Sequence, residues 1–314
     1  MKLLDGKVFN QVQSDEVIDY LKSRKEEVIE AFTRDMVIIK RDNQVVLLFK
    51  SNNRSSMYPI RTAFLYKLLK WYNISHHSIH HFLDDTLILM CNDNLREISK
   101  YSKYVNLKIE NNEVVSIVSK KFTLSSDLDV INIVQKQLEI ADISRDDFCM
   151  RIITKIESEA EPIVGDISGF GLNITNSETG FSTLKAEHYI LRYWCSNGCT
   201  TTIKQNAINI VHYNIDKEII YNNLANVLEA APKEPEFFTA GVKQSLTEEA
   251  SLSFPQIEYK VNSIIGSAAG YNFFDGFDKK STKYDLFNHI THTAKKFNIM
   301  QRYKLESLGG SLIC

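Results

Sequence analysis

The sequence predicts an α+β fold: an antiparallel sheet built from grouped hairpins, helices packed on it, and a helical C-terminal region. Three observations predict it. β-Branched runs flank a polar turn twice, at 37–49 and again at 105–119. Two glycine-bearing turns, Asn176 to Gly180 and Cys195 to Gly198, divide the central stretch into adjacent strands. The last third has helical periodicity interrupted by prolines.

Taken in order, Ser14 and Asp15 cap a helical pattern in which Val17, Ile18, Leu21, Val28, Ile29 and Phe32 recur at helical intervals. Val37–Ile39 and Val45–Phe49 form a hairpin around Arg-Asp-Asn-Gln. A helix is expected from Pro59 to Tyr72, with proline early, where its missing N–H costs little. Leu87 to Cys91 reads as a buried strand, followed by a short helix over 95–101. The clearest hairpin is 105–122, with Glu110-Asn111-Asn112-Glu113 as its turn. Ser125 or Ser126 then caps a helix with Leu128, Ile131, Val134, Leu138 and Ala141 on one face. Met150 to Ile156 is a strand.

The central strands are 170–177, 181–194 and 199–204, with Gly180 and Gly198 where tight turns demand positive φ. Lys217 to Ala230 is helical, and Pro232 and Pro235 mark a break. Residues 236–280 are weakly patterned, and 283–308 read as two helices.

The 314 residues, 44% hydrophobic and 24% charged, are ordinary for a globular protein. No run of about 18 apolar residues predicts a membrane span. The N-terminus lacks the apolar stretch of a secretion signal, so a cytoplasmic protein is expected. Five cysteines, widely spaced and odd in number, argue for reduced thiols over a disulfide framework. The net charge of −2 gives no overall pull on nucleic acid, but the charge is segregated. Residues 36–72 hold seven bases against Asp42, and 279–304 hold seven against Asp285.

No glycine lies between Gly6 and Gly165, and no phosphate-binding Gly-x4-Gly-Lys-Ser/Thr loop occurs. The histidines His76, His77, His80 and His81, with Asp84 or Asp85, could hold a metal or form a polar loop. Asp166, Asn173, Asn176, Glu178, Arg192 and Asn197 fall at strand ends or turns, where they either bind a ligand or satisfy their own backbone. No cofactor is expected. Bases interleaved with Phe49, Tyr58, Phe64, Tyr66, Trp71 and Tyr72 fit single-strand nucleic-acid binding, although aromatics at helical spacing also fit a core. On this reading Lys40, Arg41, Arg54, Arg61, Lys295 and Lys296 contact phosphate.

The pieces NSETG, ILRYWCSNG, KYDLFNHITHTAKK and KLESLGG together resemble a phage- and plasmid-borne protein family of unknown function. The matching positions are Asn176, Ser177, Gly180, Arg192, Cys195, Ser196, Asn197, Gly198, Leu305, Glu306 and Gly309. Cys199 departs from the family, which often has methionine, valine or leucine there. The resemblance covers 105–314 as a family domain and leaves 1–104 as an N-terminal α/β region peculiar to this chain. It implies a mobile-element protein in a prokaryotic cytosol, in the company of DNA replication and recombination. The function expected is non-enzymatic handling of nucleic acid: single-strand DNA binding or annealing by a homo-oligomer. The alternatives are a metal-assisted or nucleotide-modifying enzyme, or an inhibitor of a host factor.

Overall fold

The structure is a computed structural model that describes residues 4–51, 54–70, 82–155, 158–164, 166–192, 199–229, 236–266 and 272–313. It is α+β, and every pairing between its strands is antiparallel.

Two small sheets carry the N-terminal part. One joins β2 (Glu26–Phe32), β6 (Tyr104–Glu110) and β7 (Glu113–Ser119); the other joins β3 (Val37–Arg41), β4 (Gln44–Ser51) and β5 (Arg54–Pro59). Their hairpin turns are the expected ones. Asp42 and Asn43 have φ of 49° and 62°, and Asn111 and Asn112 have 51° and 64°, the left-handed pair that matches strand twist. Helices α2 (Thr62–Leu69) and α3 (Asp84–Tyr101) cover these sheets.

Three expectations change here. Val28 to Phe32 is strand, because β2 pairs residue for residue with β6 from Glu26↔Glu110 to Phe32↔Tyr104. Pro59 ends β5 and does not open the helix. Leu87 to Cys91 is helical: Leu87, Cys91, Leu95 and Ile98 make one buried stripe at intervals of four, four and three.

The large sheet has seven strands: β1 (Phe9–Val12), β8 (Ile140–Arg145), β9 (Met150–Thr154), β10 (Ser158–Ile163), β11 (Asp166–Asn176), β12 (Leu184–Arg192) and β13 (Cys199–Ile210). Strand β1 pairs with β8 and β2 with β6, so residues on both sides of position 104 build the same sheets. Helices α1 (Ser14–Ser23), α4 (Asp127–Gln135) and α5 (Lys217–Glu229) supply Val17, Leu21, Val130, Val134, Ile220 and Leu224 to the core on one face. Ser126 precedes α4 as read, but Ala141 lies in β8.

Beyond the sheet, the weakly patterned segment contains α6 (Glu236–Ser245) and α7 (Phe254–Ile265). The expected C-terminal pair is α8 (Lys283–Ala294) and α9 (Ile299–Gly310). Helix α9 meets the sheet through a polar layer. Arg151 donates to Asn173 Oδ1 at 2.8 Å and to Glu306 at 2.7 Å, Arg302 donates to Glu306 at 2.8 Å, and the Tyr303 hydroxyl donates to Glu187. Glu306 and Gly309 therefore act structurally: a Cβ on Gly309 would stand 3.1 Å from Thr291 Cγ2.

The histidine cluster at 76–81, Trp71, Tyr72, Cys195, Asn197 and Gly198 lie outside the described residues. Among the described residues no helix is long and apolar enough to cross a membrane, and no cluster of three metal-ligating side chains occurs.

Candidate functional site

The turn from Asn176 to Gly180 links β11 to β12, and it is buried rather than displayed. Asn176 donates to Asp127 Oδ1 at 2.8 Å and to the Ser125 carbonyl at 2.9 Å. The Ser177 hydroxyl donates to the Phe148 carbonyl at 2.6 Å and accepts the Phe181 N–H. Glu178 accepts from Arg24 Nη2 at 2.7 Å, from Lys108, and from the Asp127 N–H at 2.6 Å. Asn173, Asn176 and Glu178 are thus buried and bonded within the interior, although Asn173 Nδ2 and Asn176 Oδ1 have no partner among the described residues. The side chains of Asp166 and Arg192 lie outside the described residues.

Glu178 belongs to a buried charge network. Arg24, Arg61, Lys108 and Arg145 have side chains at most 4% exposed, and they face Glu110, Asp127, Asp147 and Glu178. Glu26 and Glu113 close its partly exposed rim. These residues come from the C-terminal cap of α1, β2, β6, β7, α4, β8 and the turns, so the network locks the N-terminal sheets to the large one. Burial opposes the charge of Glu178, but Lys108, Arg24 and Arg145 outweigh it and hold its carboxyl well below the usual range. Asp127 is pushed up by burial and by the charge of Glu178.

This corrects one expectation directly. Arg61 is 3% exposed, donates to Glu113 and Asp147 at 2.7 and 2.8 Å, and is not available to phosphate. Lys40 pairs with Asp84 at 2.7 Å, and Arg41 lies exposed beside Asp42 on the β3–β4 turn. Arg54 begins β5, and its side chain is not among those described. Lys295 and Lys296 follow α8; Lys296 is exposed, and Lys295 lines a cavity of about 350 Å³ with Asp146, Asp147, Arg151 and Arg302. The charges in that cavity are largely spent internally, since Asp147 holds Arg61 and Glu306 holds Arg151 and Arg302.

The described aromatics of 36–72 pack in or against the core, as helical spacing also allows. Phe49 and Phe64 are fully buried, and Tyr66 packs on Phe148 and Phe181.

A second cavity, of about 410 Å³, opens where the buried turn surfaces. Gly180, Phe181, Phe122, His212, Tyr101 and Tyr213 are among its walls. Phe122 stacks on His212 with centroids 5.4 Å apart. Tyr101 and Tyr213 are 80% and 55% exposed at its edge, an unusual amount of aromatic surface to leave in water. Lys67 enters from α2 and donates to the Thr179 carbonyl and to Ser116 Oγ at 3.3 Å, with its Nζ 5.3 Å from the centre of the Phe181 ring.

Further lysines lie outside this lining and feel one another's charge. Desolvation, and then the charges of Lys70 and Lys185, lower the pKa of Lys304. Desolvation and Lys70 lower that of Lys67 to about 7. Lys121 lies over the ring of Tyr213 at 5.7 Å. Among the described residues no carboxylate pairs with Lys67, Lys70, Lys121, Lys185 or Lys304, whereas Lys40, Lys100, Lys108 and Lys155 all have acidic partners. Like charges without a nearby acid disfavour one another's charged form.

Gly180 sets the shape of this corner. Its φ is +75°, and a Cβ there would stand 2.8 Å from Lys67 Nζ and 3.2 Å from Phe122. Gly180→Ala is expected to cost about 1–2 kcal/mol in chemical denaturation, from the left-handed backbone alone.

No known protein family, curated protein or solved structure matches this chain.

Proposed function

We propose that the protein binds single-stranded nucleic acid at the cavity beside Gly180, without turning it over. The observation that carries this reading is a set of five lysines without acidic partners among the described residues, of which Lys67 lines the cavity with exposed Tyr101 and Tyr213 and Lys121 lies over the Tyr213 ring. Ammonium groups track phosphates while aromatic faces stack bases, and stacking tolerates any sequence. A duplex hides its base faces and gains only the phosphate contacts. The lining of this site does not include Lys40, Arg41, Lys295 or Lys296; it joins α2, α3, β6, β7 and the turn at 180–183. The likeness of the chain's motifs to mobile-element proteins agrees with this use.

The test is binding of labelled single- and double-stranded oligonucleotides across a salt series. Single strands are expected to bind more tightly, with affinity falling roughly a hundredfold between 50 and 200 mM salt if all five lysines neutralise a phosphate. Equal affinity for duplex, or binding insensitive to salt, overturns the proposal.

A further inference from the structure

We infer that Lys67 is an imine-forming amine, placed to add to an aldehyde that enters the cavity with a phosphate drawn by the nearby charge of Lys70. Its geometry supports this. The Nζ lies on the wall of a largely apolar cavity of about 410 Å³, with room for a ligand and rings on two sides. No carboxylate among the described residues holds it in the charged form. Its hydrogen-bond partners are a backbone carbonyl and a serine hydroxyl, both of which a neutral amine still satisfies.

Burial, followed by the charge of Lys70, lowers its pKa to about 7, which favours the free amine far more than in an ordinary lysine. The other titratable groups at the cavity are His212, Tyr101 and Tyr213. Burial holds His212 towards its neutral form, with Nδ1 3.1 Å from the Thr123 carbonyl.

The step balances without an oxidant or reductant. The Nζ lone pair forms the C–N bond while the carbonyl π pair moves to oxygen, which takes a proton to give a carbinolamine. The nitrogen then loses its remaining proton, the C–O bond breaks, and water leaves as the imine forms. An aldehyde beside phosphate has two sources: a ring-opened abasic deoxyribose in a single strand, or a small phosphorylated aldehyde. Only the first rests on the nucleic-acid reading.

The experiment treats the full chain at pH 7 with cyanoborohydride and either an abasic single-stranded oligonucleotide or pyridoxal 5′-phosphate. Reductively trapped lysines are then mapped by peptide mass spectrometry, and oligonucleotide binding is measured in parallel. The expected result is an adduct on Lys67 at least tenfold above any other lysine in one arm or both, rising with a midpoint near pH 7. Trapping spread over the exposed lysines, or no adduct on Lys67 in either arm, overturns the inference. Binding of the oligonucleotide without trapping in either arm sinks the imine and leaves the binding reading standing. Trapping of pyridoxal 5′-phosphate on Lys67 with no oligonucleotide bound does the reverse. Lys67→Arg, which keeps charge but cannot form the imine, is expected to lose the adduct; the native-chain map decides alone if that variant does not fold.

Discussion

Glu178→Gln is expected to cost about 3–5 kcal/mol of folding stability, the range for breaking a buried ion pair by removing one partner. That is a large share of the total stability of an ordinary domain. The reason is the count of charges left behind. Arg24, Lys108 and Arg145 all lie within 3.6 Å of this carboxylate, and none is more than 4% exposed. Glutamine keeps the shape and can still accept from the Asp127 N–H, so the loss reports charge.

The pH dependence has a definite sign. A carboxyl depressed below its ordinary value of 4.5 contributes stability that is full above that value and is lost progressively as pH falls from it towards the depressed value of the fold. Asp127, raised by burial, works in the opposite sense and relieves part of this loss. Urea denaturation between pH 3 and 7 should therefore show a fall below about pH 4.5 in the native chain and a flatter curve in Glu178→Gln. Equal slopes would show that Glu178 is not the group that matters.

The second large effect concerns binding. Lys70→Gln, Lys185→Gln and Lys304→Gln together remove three of the five unpartnered cations while sparing Lys67 and the aromatic rings. Lys70 and Lys304 are exposed and Lys185 is half-buried, and none contributes to the ion network, so the fold is expected to remain. The slope of log affinity against log salt should fall by about 2, at roughly 0.7 per phosphate contact on a single strand. Relieving the repulsion around Lys67 and Lys304 should also make the variant no less stable than the native chain.

Much of the fold was legible because its turns are local. Asp42-Asn43 and Asn111-Asn112 announce hairpins within four residues, and the β-branched runs beside them leave little choice of register. What was hidden depends on partners far along the chain. Strand β2 continues the helical spacing of α1 in its apolar residues, and only pairing with β6, some eighty positions later, makes it a strand. The charge network was invisible for the same reason: Arg24 and Glu178 are 154 residues apart, and a charged residue read alone defaults to the surface. The NSETG turn reads as a place for binding groups, but its glutamate and asparagine face inward, and Gly180 and Phe181 are the residues of it that reach the cavity. The basic stretch at 36–72 was real in sequence, yet folding buries Arg61, pairs Lys40 and leaves Lys67 and Lys70 beside Lys185 and Lys304. No linear count could gather those four.

The central claim, that this lysine and tyrosine cluster is the ligand surface, is tested most directly by comparing the native chain with the Lys70, Lys185, Lys304 triple variant. Both are titrated against one labelled single strand at 50 and 200 mM salt. The account predicts that affinity drops roughly a hundredfold for the native chain and less than tenfold for the variant, which also binds more weakly at the lower salt. Identical curves for the two proteins would contradict it.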